Sequence, residues 1–379
     1  MKRAPMESDL ELFRDSARQF FQKEIRPHSE RWREAGMVDR EAFLKAGEMG
    51  YLCMWADEQY GGLGLKDFRY EQILIEENGL YGDPGFFMTL HSRLVGPYFE
   101  HFGSEEQKQR FLPDFISGKK ILGIAMTEPD AGSDLAGMKS RAEDKGDHWV
   151  LNGSKTYISN GINGDVFIVA AKTKPDQPHA VSLFIVERGM EGFERGRNLK
   201  KMGMKSQDTA ELFFRDCKVP KENLLGQPHA GFYHLMQGLA EERLIAAVGN
   251  LIGCRAAFDV TREFVRERKA FGKPLSKFQN TRFKLAEIDA EMDMMQVYVD
   301  RMVEVHNQGK LSPVDASRAK LLSSELNGRM VDLGVQLHGG AGYMDEYPIC
   351  RMYQDERIHR ILAGSSEIMK EIIAREILD

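Results

Sequence analysis

Residues 124–134 combine residue types that could bind an anionic or heteroaromatic ligand. A strand-like apolar lead ends in a turn built from Thr, Pro, Gly and Ser, which offers unobstructed amides and hydroxyls. Gly132 allows a ligand to approach the backbone closely, and the Ser133 hydroxyl can bond a phosphate oxygen. A short cluster of Gly, Ser and Asp is also typical of an ordinary polar surface turn. The rest of the chain therefore has to decide between a cofactor loop and a surface turn.

The composition disfavours several other kinds of function. The chain has 379 residues and a formal net charge of -6, without the concentrated basic stripe that nucleic-acid binding requires. Its Gly-rich stretches at residues 61–64 and 82–85 lack dinucleotide-loop spacing, and no Walker-type phosphate loop occurs. These absences disfavour enzymes that use nicotinamide cofactors or nucleoside triphosphates. The four cysteines are far apart and form no CxxC pair, so we expect neither a disulfide framework nor a metal site.

The N-terminal sequence, MKRAPMESDLELF, becomes acidic before any apolar run long enough for a signal peptide. No stretch of the chain approaches the length needed to span a bilayer. We therefore expect a cytoplasmic protein without a membrane span.

Hydrophobic periodicity divides the chain into a helical, a β-rich and a second helical part. Apolar residues recur at helical spacing in residues 8–119, where Ser8 is placed to cap the first helix, and again from residue 231. Between these parts, short β-rich runs alternate with turn signals, and residues 152–154 match a hairpin turn. The predicted domains are residues 1–120, 121–230 and 231–379.

This order of domains, together with four sequence motifs, resembles the acyl-CoA dehydrogenase family over essentially the whole chain. The first motif extends from residue 125 to residue 137 and includes the turn described above. The others are KTYISNG at residues 155–161, ERKAFG at residues 267–272 and QLHGGAGY at residues 336–343. Each motif alone would be weak, but four independent matches in the right order are highly specific.

The resemblance implies an α+β fold with an N-terminal helical domain, a central β-barrel-like domain and a C-terminal four-helix bundle. It also implies that FAD lies between the β domain and the C-terminal helices, with part of its site supplied by a neighbouring subunit of a homotetramer. The substrate would be an acyl-CoA thioester, and an electron-transferring flavoprotein would accept the electrons.

The resemblance assigns two sets of cofactor contacts, residue by residue. The flavin ring and pyrophosphate of one FAD would contact the β domain and the start of the last helix, through Ile124, Met126, Thr127, Gly132, Ser133, Tyr157, Ser159, Ser365 and Glu367. A FAD in the adjacent protomer would be held by Arg268, Phe271, Gln279, Gln336, Gly339 and Gly340. Hydroxyls and amides near a flavin stabilise the negative charge that develops when it accepts hydride. Ser365 or Ser366 would cap the final helix.

The base that takes the substrate proton is where this chain departs from most of the family. Many members place a Glu immediately before the small-residue loop that opens the last helix, and this chain has Ala363 there. The branch that includes the long-chain and isovaleryl enzymes places the base on an earlier helix, within a Glu-Arg-Leu motif. This chain has that motif at residues 242–244, so Glu242 is the candidate base.

The same resemblance assigns the substrate contacts. Arg243 would face the CoA part of the substrate, and Ser133 is a further candidate substrate contact. Ala363 keeps the backbone amide that bonds the thioester oxygen in the family, and Gly364 follows it in the same loop. A backbone donor survives replacement of the side chain.

The helical pattern around Glu242 supports its assignment as the base. On a helix that begins at residue 231, its face is shared by Leu235, Leu239, Ala246 and Gly249, so the carboxyl projects from an apolar stripe. Burial disfavours the ionised carboxylate and raises its pKa toward the range of a general base. Two structural alternatives are a buried ion pair with a nearby Arg and a solvated position at the edge of the helix.

The leading hypothesis is an FAD-dependent acyl-CoA dehydrogenase that forms trans-2-enoyl-CoA from a medium-chain, long-chain or branched substrate in fatty-acid β-oxidation. One alternative is an acyl-CoA oxidase, which returns electrons to oxygen. Another is a flavin or acyl-CoA binding protein that has lost its base, as Ala363 would allow. The sequence does not define the acyl chain, although small residues such as Gly85 could deepen the acyl cavity.

Overall fold

The computed structural model describes residues 6–174 and 176–378, and its N-terminal part is built from α-helices. They are α1 Ser8–Phe20, α2 Ser29–Ala35, α3 Arg40–Glu48, α4 Phe68–Tyr81, α5 Pro97–Phe102 and α6 Glu105–Ile116. The Gly-rich stretches at residues 61–64 and 82–85 lie outside the helices, and α4 lies between them. Residues 1–5, which begin the stretch interpreted as lacking a signal peptide, lie outside the described residues.

The predicted cap of the first helix is wrong. Ser8 is the first residue of α1, and Glu7, with an extended backbone at φ -60° and ψ 152°, occupies the N-cap position. The Ser8 hydroxyl donates to the Asp9 carboxylate at 3.3 Å instead of accepting from a backbone N–H. The sequence pattern therefore locates the start of this helix only to within one residue, as is usual for helix ends.

Gly85, named above as a small residue near the acyl cavity, lies at a contact between the N-terminal and β domains. A Cβ at this position would lie 2.1 Å from the Ser206 hydroxyl and 2.6 Å from the backbone nitrogen of Gln207. The absence of a side chain at Gly85 therefore allows the two domains to pack closely.

The central part of the chain forms one sheet. Its strands are β1 Leu122–Ala125, β2 Arg141–Asp144, β3 His148–Ser159, β4 Val166–Lys172, β5 Val181–Glu187, β6 Phe193–Asn198, β7 Thr209–Pro220 and β8 Leu224–Leu225. Their order is β6-β7-β3-β2-β4-β5-β8, and β1 pairs in parallel with β4.

Strand β2 joins two halves of this sheet. It meets β4 through a single residue pair, Arg141 with Lys172. The two halves pack face to face around one apolar core, in which Trp149 of β3 lies 5.4 Å from Phe184 of β5, measured between ring centroids. This arrangement gives the domain its barrel-like form.

The hairpin turn predicted at residues 152–154 is wrong, because these residues lie inside β3. The register of β3 with β7 shifts between Leu151 and Gly153, which marks a β-bulge. Gly153 has φ 148°, and a Cβ there would lie 2.3 Å from the Ser140 hydroxyl. The Asn-Gly pair is thus explained by a bulge that leaves no room for a side chain.

The C-terminal part is a bundle of long helices. They are α7 Gly231–Glu267, α8 Gln279–Asn307, α9 Pro313–His338, α10 Pro348–Glu356 and α11 Ser366–Leu378. A two-stranded hairpin, β9 Lys269–Ala270 and β10 Lys273–Pro274, connects α7 to α8. The Ser312 side chain caps α9 by accepting from the Asp315 N–H.

Among the residues that the structure describes, α7 is long and apolar enough to cross a membrane, judged by length and composition alone. Its most apolar 18-residue window has a mean hydropathy of 1.4. The expectation that no stretch approaches this length is therefore wrong. The apolar residues of α7 pack against α4, α8 and α9, and 56% of that window is buried in the protein. Burial on several sides explains why the helix is apolar over most of its circumference.

Candidate active site

A buried ion pair fixes the loop that follows β1. Lys155, fully buried on β3, donates from Nζ to the Met126 carbonyl at 3.0 Å and to Glu128 Oε1 at 2.8 Å. The Glu128 carboxylate also accepts from the backbone N–H groups of Lys139, at 2.5 Å, and Ser140, at 3.0 Å. Burial raises the pKa of Glu128, but Lys155 and these hydrogen bonds outweigh burial and leave it below its usual value. The loop is therefore held by a carboxylate whose partners compensate its burial.

This loop offers open space and exposed polar groups. A Cβ at Gly132 would meet no protein atom within 4 Å, and Ser133 is exposed. The Thr127 carbonyl accepts from the Thr156 N–H at 2.9 Å, which ties the loop to β3. Immediately after Thr156, Tyr157 has φ 58° and is 71% exposed. A positive φ in a large residue is unusual and often marks a functional position.

The residues around this loop fit the flavin that the resemblance implies. The exposed ring of Tyr157 can pack on a planar ring. The open space at Gly132 and the exposed hydroxyl of Ser133 can accommodate and bond a phosphate. Ile124 and Met126 are half-buried and pack on the apolar cluster that contains Tyr98 and Leu235. This cluster connects the loop to α5 and α7.

The residues assigned to the FAD of an adjacent protomer lie at one end of the C-terminal bundle. The ends of α7 and α9 meet there, because Phe264 stacks on His338 with ring centroids 4.0 Å apart. The predicted contact residues are all exposed: Arg268, Phe271, Gln279, Gln336, Gly339 and Gly340. Phe271 is 96% exposed and has φ 51°. A Cβ at either of the two glycines would meet no protein atom within 4 Å, so space for a ligand exists at this end.

Glu242 lies inside the protein, on the α7 face that the helical pattern predicts. It is 5% exposed. Of the residues predicted to share its face, Leu235 is fully buried, whereas Leu239, Ala246 and Gly249 are half-buried. The Glu242 carboxylate accepts a hydrogen bond from the Tyr98 hydroxyl of α5 at 3.3 Å. Burial raises the pKa of Glu242 to about 7, although the Tyr98 hydrogen bond and the charge of Arg243 act in the opposite direction. A carboxyl with this pKa suits a general base at neutral pH.

The buried ion pair weighed as an alternative for Glu242 belongs to its neighbour, Glu241. Arg93 Nε lies 2.6 Å from Glu241 Oε1, and His306 Nε2 lies 2.6 Å from Glu241 Oε2. Burial raises the pKa of Glu241, but the His306 hydrogen bond and the Arg93 charge outweigh it and lower the pKa. Within the described residues, Glu242 forms no salt bridge. Glu241 is thus held as a carboxylate, whereas the pKa of Glu242 is raised.

A pocket of about 240 Å³ opens beside both glutamates. Its other walls come from α5, from the short helical segment Leu90–Val95 that precedes α5, and from α7. They include Leu94, Pro97, Tyr98, Phe102 and Gly238. A Cβ at Gly238 would lie 2.9 Å from the Tyr98 hydroxyl and 3.3 Å from Glu242 Oε1. Gly238 therefore leaves room for the hydrogen bond between Tyr98 and Glu242.

The turn before α11 has a left-handed backbone. Ala363 has φ 52° and Gly364 has φ 90°. The Gly364 carbonyl accepts from Lys320 Nζ of α9 at 2.7 Å. Ser365 precedes α11, and its hydroxyl accepts from the Ile368 N–H at 3.4 Å, so the prediction that Ser365 or Ser366 caps the last helix is confirmed for Ser365. Glu367, in the first turn of that helix, is exposed.

Arg243 lies between α7 and α9. It is 4% exposed, and its Nη1 donates to the Ser317 hydroxyl at 3.3 Å. Burial lowers the pKa of Arg243. A contact with CoA stays a prediction for this residue, as do the cofactor contacts of Ser159, which lies half-buried at the end of β3.

Sequence reasoning missed several residues of this site. Tyr98, Arg93 and His306 are far from the glutamates in sequence, and no local pattern connects them. Lys320 has a detectable signal, because it occurs at helical spacing among the small residues Ala316 and Ser323, which are fully buried. A cation on such a face is unusual and marks a position that packing alone does not explain.

Three family models match the chain in order. The N-terminal domain of acyl-CoA dehydrogenase matches residues 7–119, the middle domain residues 123–217 and the C-terminal domain residues 229–378.

Two relatives and one solved structure show how far the similarity extends. The mitochondrial long-chain specific acyl-CoA dehydrogenase of Rattus norvegicus is 45% identical over 374 residues, which cover 98% of this chain and 87% of the relative. The mitochondrial isovaleryl-CoA dehydrogenase of Pongo abelii is 38% identical over 339 residues, or 89% of this chain and 80% of the relative. The crystal structure of an acyl-CoA dehydrogenase from Geobacillus kaustophilus is 44% identical, has a TM-score of 0.97 and matches over 100% of both chains.

Proposed function

The chain belongs to the acyl-CoA dehydrogenase family of flavoprotein oxidoreductases, and we propose that it uses FAD to convert an acyl-CoA thioester into trans-2-enoyl-CoA. The observation that carries this proposal is the position of Glu242 in the wall of a pocket, buried, with a raised pKa and without a salt bridge. This placement supplies the base that Ala363 cannot provide.

Glu242 would take the proton from Cα of the substrate. The ionised carboxylate accepts this proton and becomes a neutral acid, a change that its burial favours. Tyr98 orients the carboxylate through its hydroxyl. The apolar side chains of Leu94 and Phe102 exclude water from the acyl chain. The Ala363 amide would donate to the thioester oxygen, where negative charge develops as the proton leaves.

FAD would be held by the loop at Met126 and Thr127, by Tyr157 and by Ser133, with Arg268 and Phe271 reaching the cofactor of a neighbouring protomer. The bound cofactor supplies the two-electron oxidant that accepts the β-hydrogen as hydride. The proton and the hydride together are the two hydrogens that separate the acyl thioester from its enoyl product.

The substrate, acceptor and assembly are further parts of the proposal. Similarity to long-chain and isovaleryl enzymes supports a long-chain or branched acyl group. We also propose that an electron-transferring flavoprotein accepts the electrons, and that the enzyme is a cytoplasmic homotetramer. The exposed aromatic side chain of Phe271, at the expected subunit contact, supports association of subunits there.

The test is anaerobic titration of the flavin-loaded enzyme with straight-chain acyl-CoAs from C4 to C16 and with isovaleryl-CoA, read at the flavin absorbance. At least one of these should bleach the parent flavin. Glu242→Gln should retain flavin but lose about 10²- to 10⁴-fold in bleaching rate, since the base is removed. Glu263→Gln, an exposed position on the same helix, is the matched control and should behave like the parent.

If Glu242→Gln bleaches at the parent rate, the base is wrongly assigned. If no acyl-CoA bleaches the parent, the chain is a binding protein, as considered above. Rapid production of hydrogen peroxide in air without an added acceptor would identify an oxidase instead.

A further inference from the structure

Lys320 is a buried cation directly beneath the turn that precedes α11. The residue is fully buried on α9. Its Nζ donates to the Gly364 carbonyl at 2.7 Å, and within the described residues it takes part in no salt bridge. An ammonium group has three donors and is costly to bury. A single carbonyl contact does not compensate such a group, so packing alone does not account for a lysine here.

The charged groups that act on Lys320 are Arg243, Glu325 and Glu367. Arg243, one helix away, is a second buried cation, and its guanidinium donates to Ser317, one turn before Lys320 on α9. Glu325 and Glu367 supply negative charge at longer range, and burial together with Arg243 lowers the pKa of Lys320 to about 8. Lys320 therefore contacts the turn that carries the Ala363 amide, and a second buried cation is near enough to act on Lys320.

The turn itself needs an external support. Ala363 and Gly364 are consecutive residues with positive φ, a conformation that an L side chain rarely adopts. Such a conformation persists only where the surroundings impose it. Lys320 donates a hydrogen bond to the carbonyl of Gly364, the second of these two residues. Ser366, just beyond the turn, donates to Glu325 of α9 at 2.6 Å. The turn is thus attached to α9 at Gly364 and again at the start of α11.

We propose that Lys320 is a positioning residue: its ammonium group holds the Gly364 carbonyl and thereby directs the Ala363 amide at the thioester oxygen. This inference rests on the proposed function. The cation acts through the backbone of the turn and adds positive potential on the side where the thioester oxygen gains negative charge. In this chain, where residue 363 carries no carboxyl, the backbone of the turn is the part that contributes to the reaction.

The experiment compares the flavin-loaded parent with Lys320→Met, which removes the cation at similar volume, and Lys320→Arg, which keeps it. Lys310→Met, at an exposed position in the α8–α9 connection, is the control for loss of a lysine charge. Steady-state kinetics with the acyl-CoA that bleaches the parent fastest give kcat and KM. A second experiment measures the carbonyl stretching frequency of the corresponding 1-¹³C-labelled trans-2-enoyl-CoA when bound, which reports directly on the hydrogen bond to the thioester oxygen.

We expect Lys320→Met to keep its flavin and its KM within about twofold, while kcat falls roughly ten- to a hundredfold. Outright removal of an oxyanion donor costs about 10²- to 10³-fold, and here the Ala363 amide is retained but less well directed, so the loss should be smaller. The carbonyl frequency should move toward that of the free thioester, and Lys320→Arg should restore it in part. Lys310→Met should match the parent in both measurements.

Parent-like kcat and carbonyl frequency in Lys320→Met would overturn the inference, and so would a variant that loses only thermal stability or flavin while the kcat per bound flavin stays unchanged. Both outcomes leave the proposed function intact, because the parent still bleaches. A parent that bleaches with no acyl-CoA would refute the proposed function, and the inference with it.

Discussion

Glu241 and Glu242 are adjacent on α7, yet the structure places their carboxyl groups in opposite electrostatic environments. Glu241 is paired with Arg93 and His306, and its pKa is lowered. Glu242 accepts a hydrogen bond from the Tyr98 hydroxyl, and burial raises its pKa to about 7. Carboxyl groups whose pKa values are pushed apart by their surroundings are typical of acid–base sites.

The acid limb of the pH profile of kcat/KM should lie near pH 7, because Glu242 must be ionised to accept a proton. Tyr98→Phe removes a hydrogen bond that lowers the pKa of Glu242, so its acid limb should move to higher pH. Glu241→Gln removes a negative charge that raises this pKa, so its acid limb should move to lower pH. Steady-state assays between pH 5 and 9 measure both shifts. Movement of both variants in the same direction would contradict the assignment.

Gly238→Ala should resemble Tyr98→Phe. A Cβ at Gly238 would lie 2.9 Å from the Tyr98 hydroxyl, so the tyrosine must shift away from Glu242. We expect an acid limb displaced to higher pH and a lower kcat/KM at pH 6.5. Gly249→Ala is a suitable control on the same helix, because its nearest contact would be an ordinary 3.9 Å. A pH profile for Gly238→Ala that coincides with that of the control would show that the Tyr98 hydrogen bond is unimportant.

Glu242→Gln should change the pH dependence of stability. A carboxyl titrates near pH 4.3 in the unfolded chain and near pH 7 in the folded protein, so the unfolded state loses its proton first as the pH rises. The parent therefore loses stability between about pH 4.5 and pH 7, by an amount on the order of 3 kcal/mol from this group alone. Glu242→Gln removes this loss. Denaturant unfolding at pH 5 and pH 8 should show a smaller difference for the variant, and an unchanged difference would argue against the raised pKa.

Lys155→Met should destabilise the β domain and reduce flavin retention. The substitution leaves the Glu128 carboxylate buried without its cation, which typically costs about 3–5 kcal/mol. It also removes the donor to the Met126 carbonyl. The double variant Lys155→Met with Glu128→Gln should recover much of the stability, since the uncompensated charge is gone. Thermal unfolding and the ratio of flavin to protein test this, and equal losses in the single and double variants would refute the explanation.

The sequence predicts the order of the elements well, because period-2 and period-3.6 patterns are local properties of the chain. The short β-rich runs predicted for the central part include those that form β4 and β5. Errors occur where one local signal has two structural solutions. The Asn-Gly pair at residues 152–153 suits both a hairpin turn and a bulge, and pairing with β7 decides for the bulge.

The candidate site is predictable only in part, for a similar reason. The burial of Glu242 follows from its helical face, and the family motifs identify the loop at Thr127. The hydrogen bond between Glu242 and Tyr98 joins residues 144 positions apart, and the hydrogen bond from Lys320 to Gly364 joins residues 44 positions apart. Contacts of this kind depend on how helices pack, which residue spacing within a single helix does not determine.

The length of α7 has a consequence for the proposed assembly. Glu242 and Arg268 lie 26 positions apart along this helix and its C-cap, or roughly 39 Å at 1.5 Å per residue. In the proposed assembly, Arg268 would reach the cofactor of a neighbouring protomer, whereas Glu242 would act at the cofactor of its own. The helix would then space two reaction centres, and a bend in its middle would misalign both of them at once.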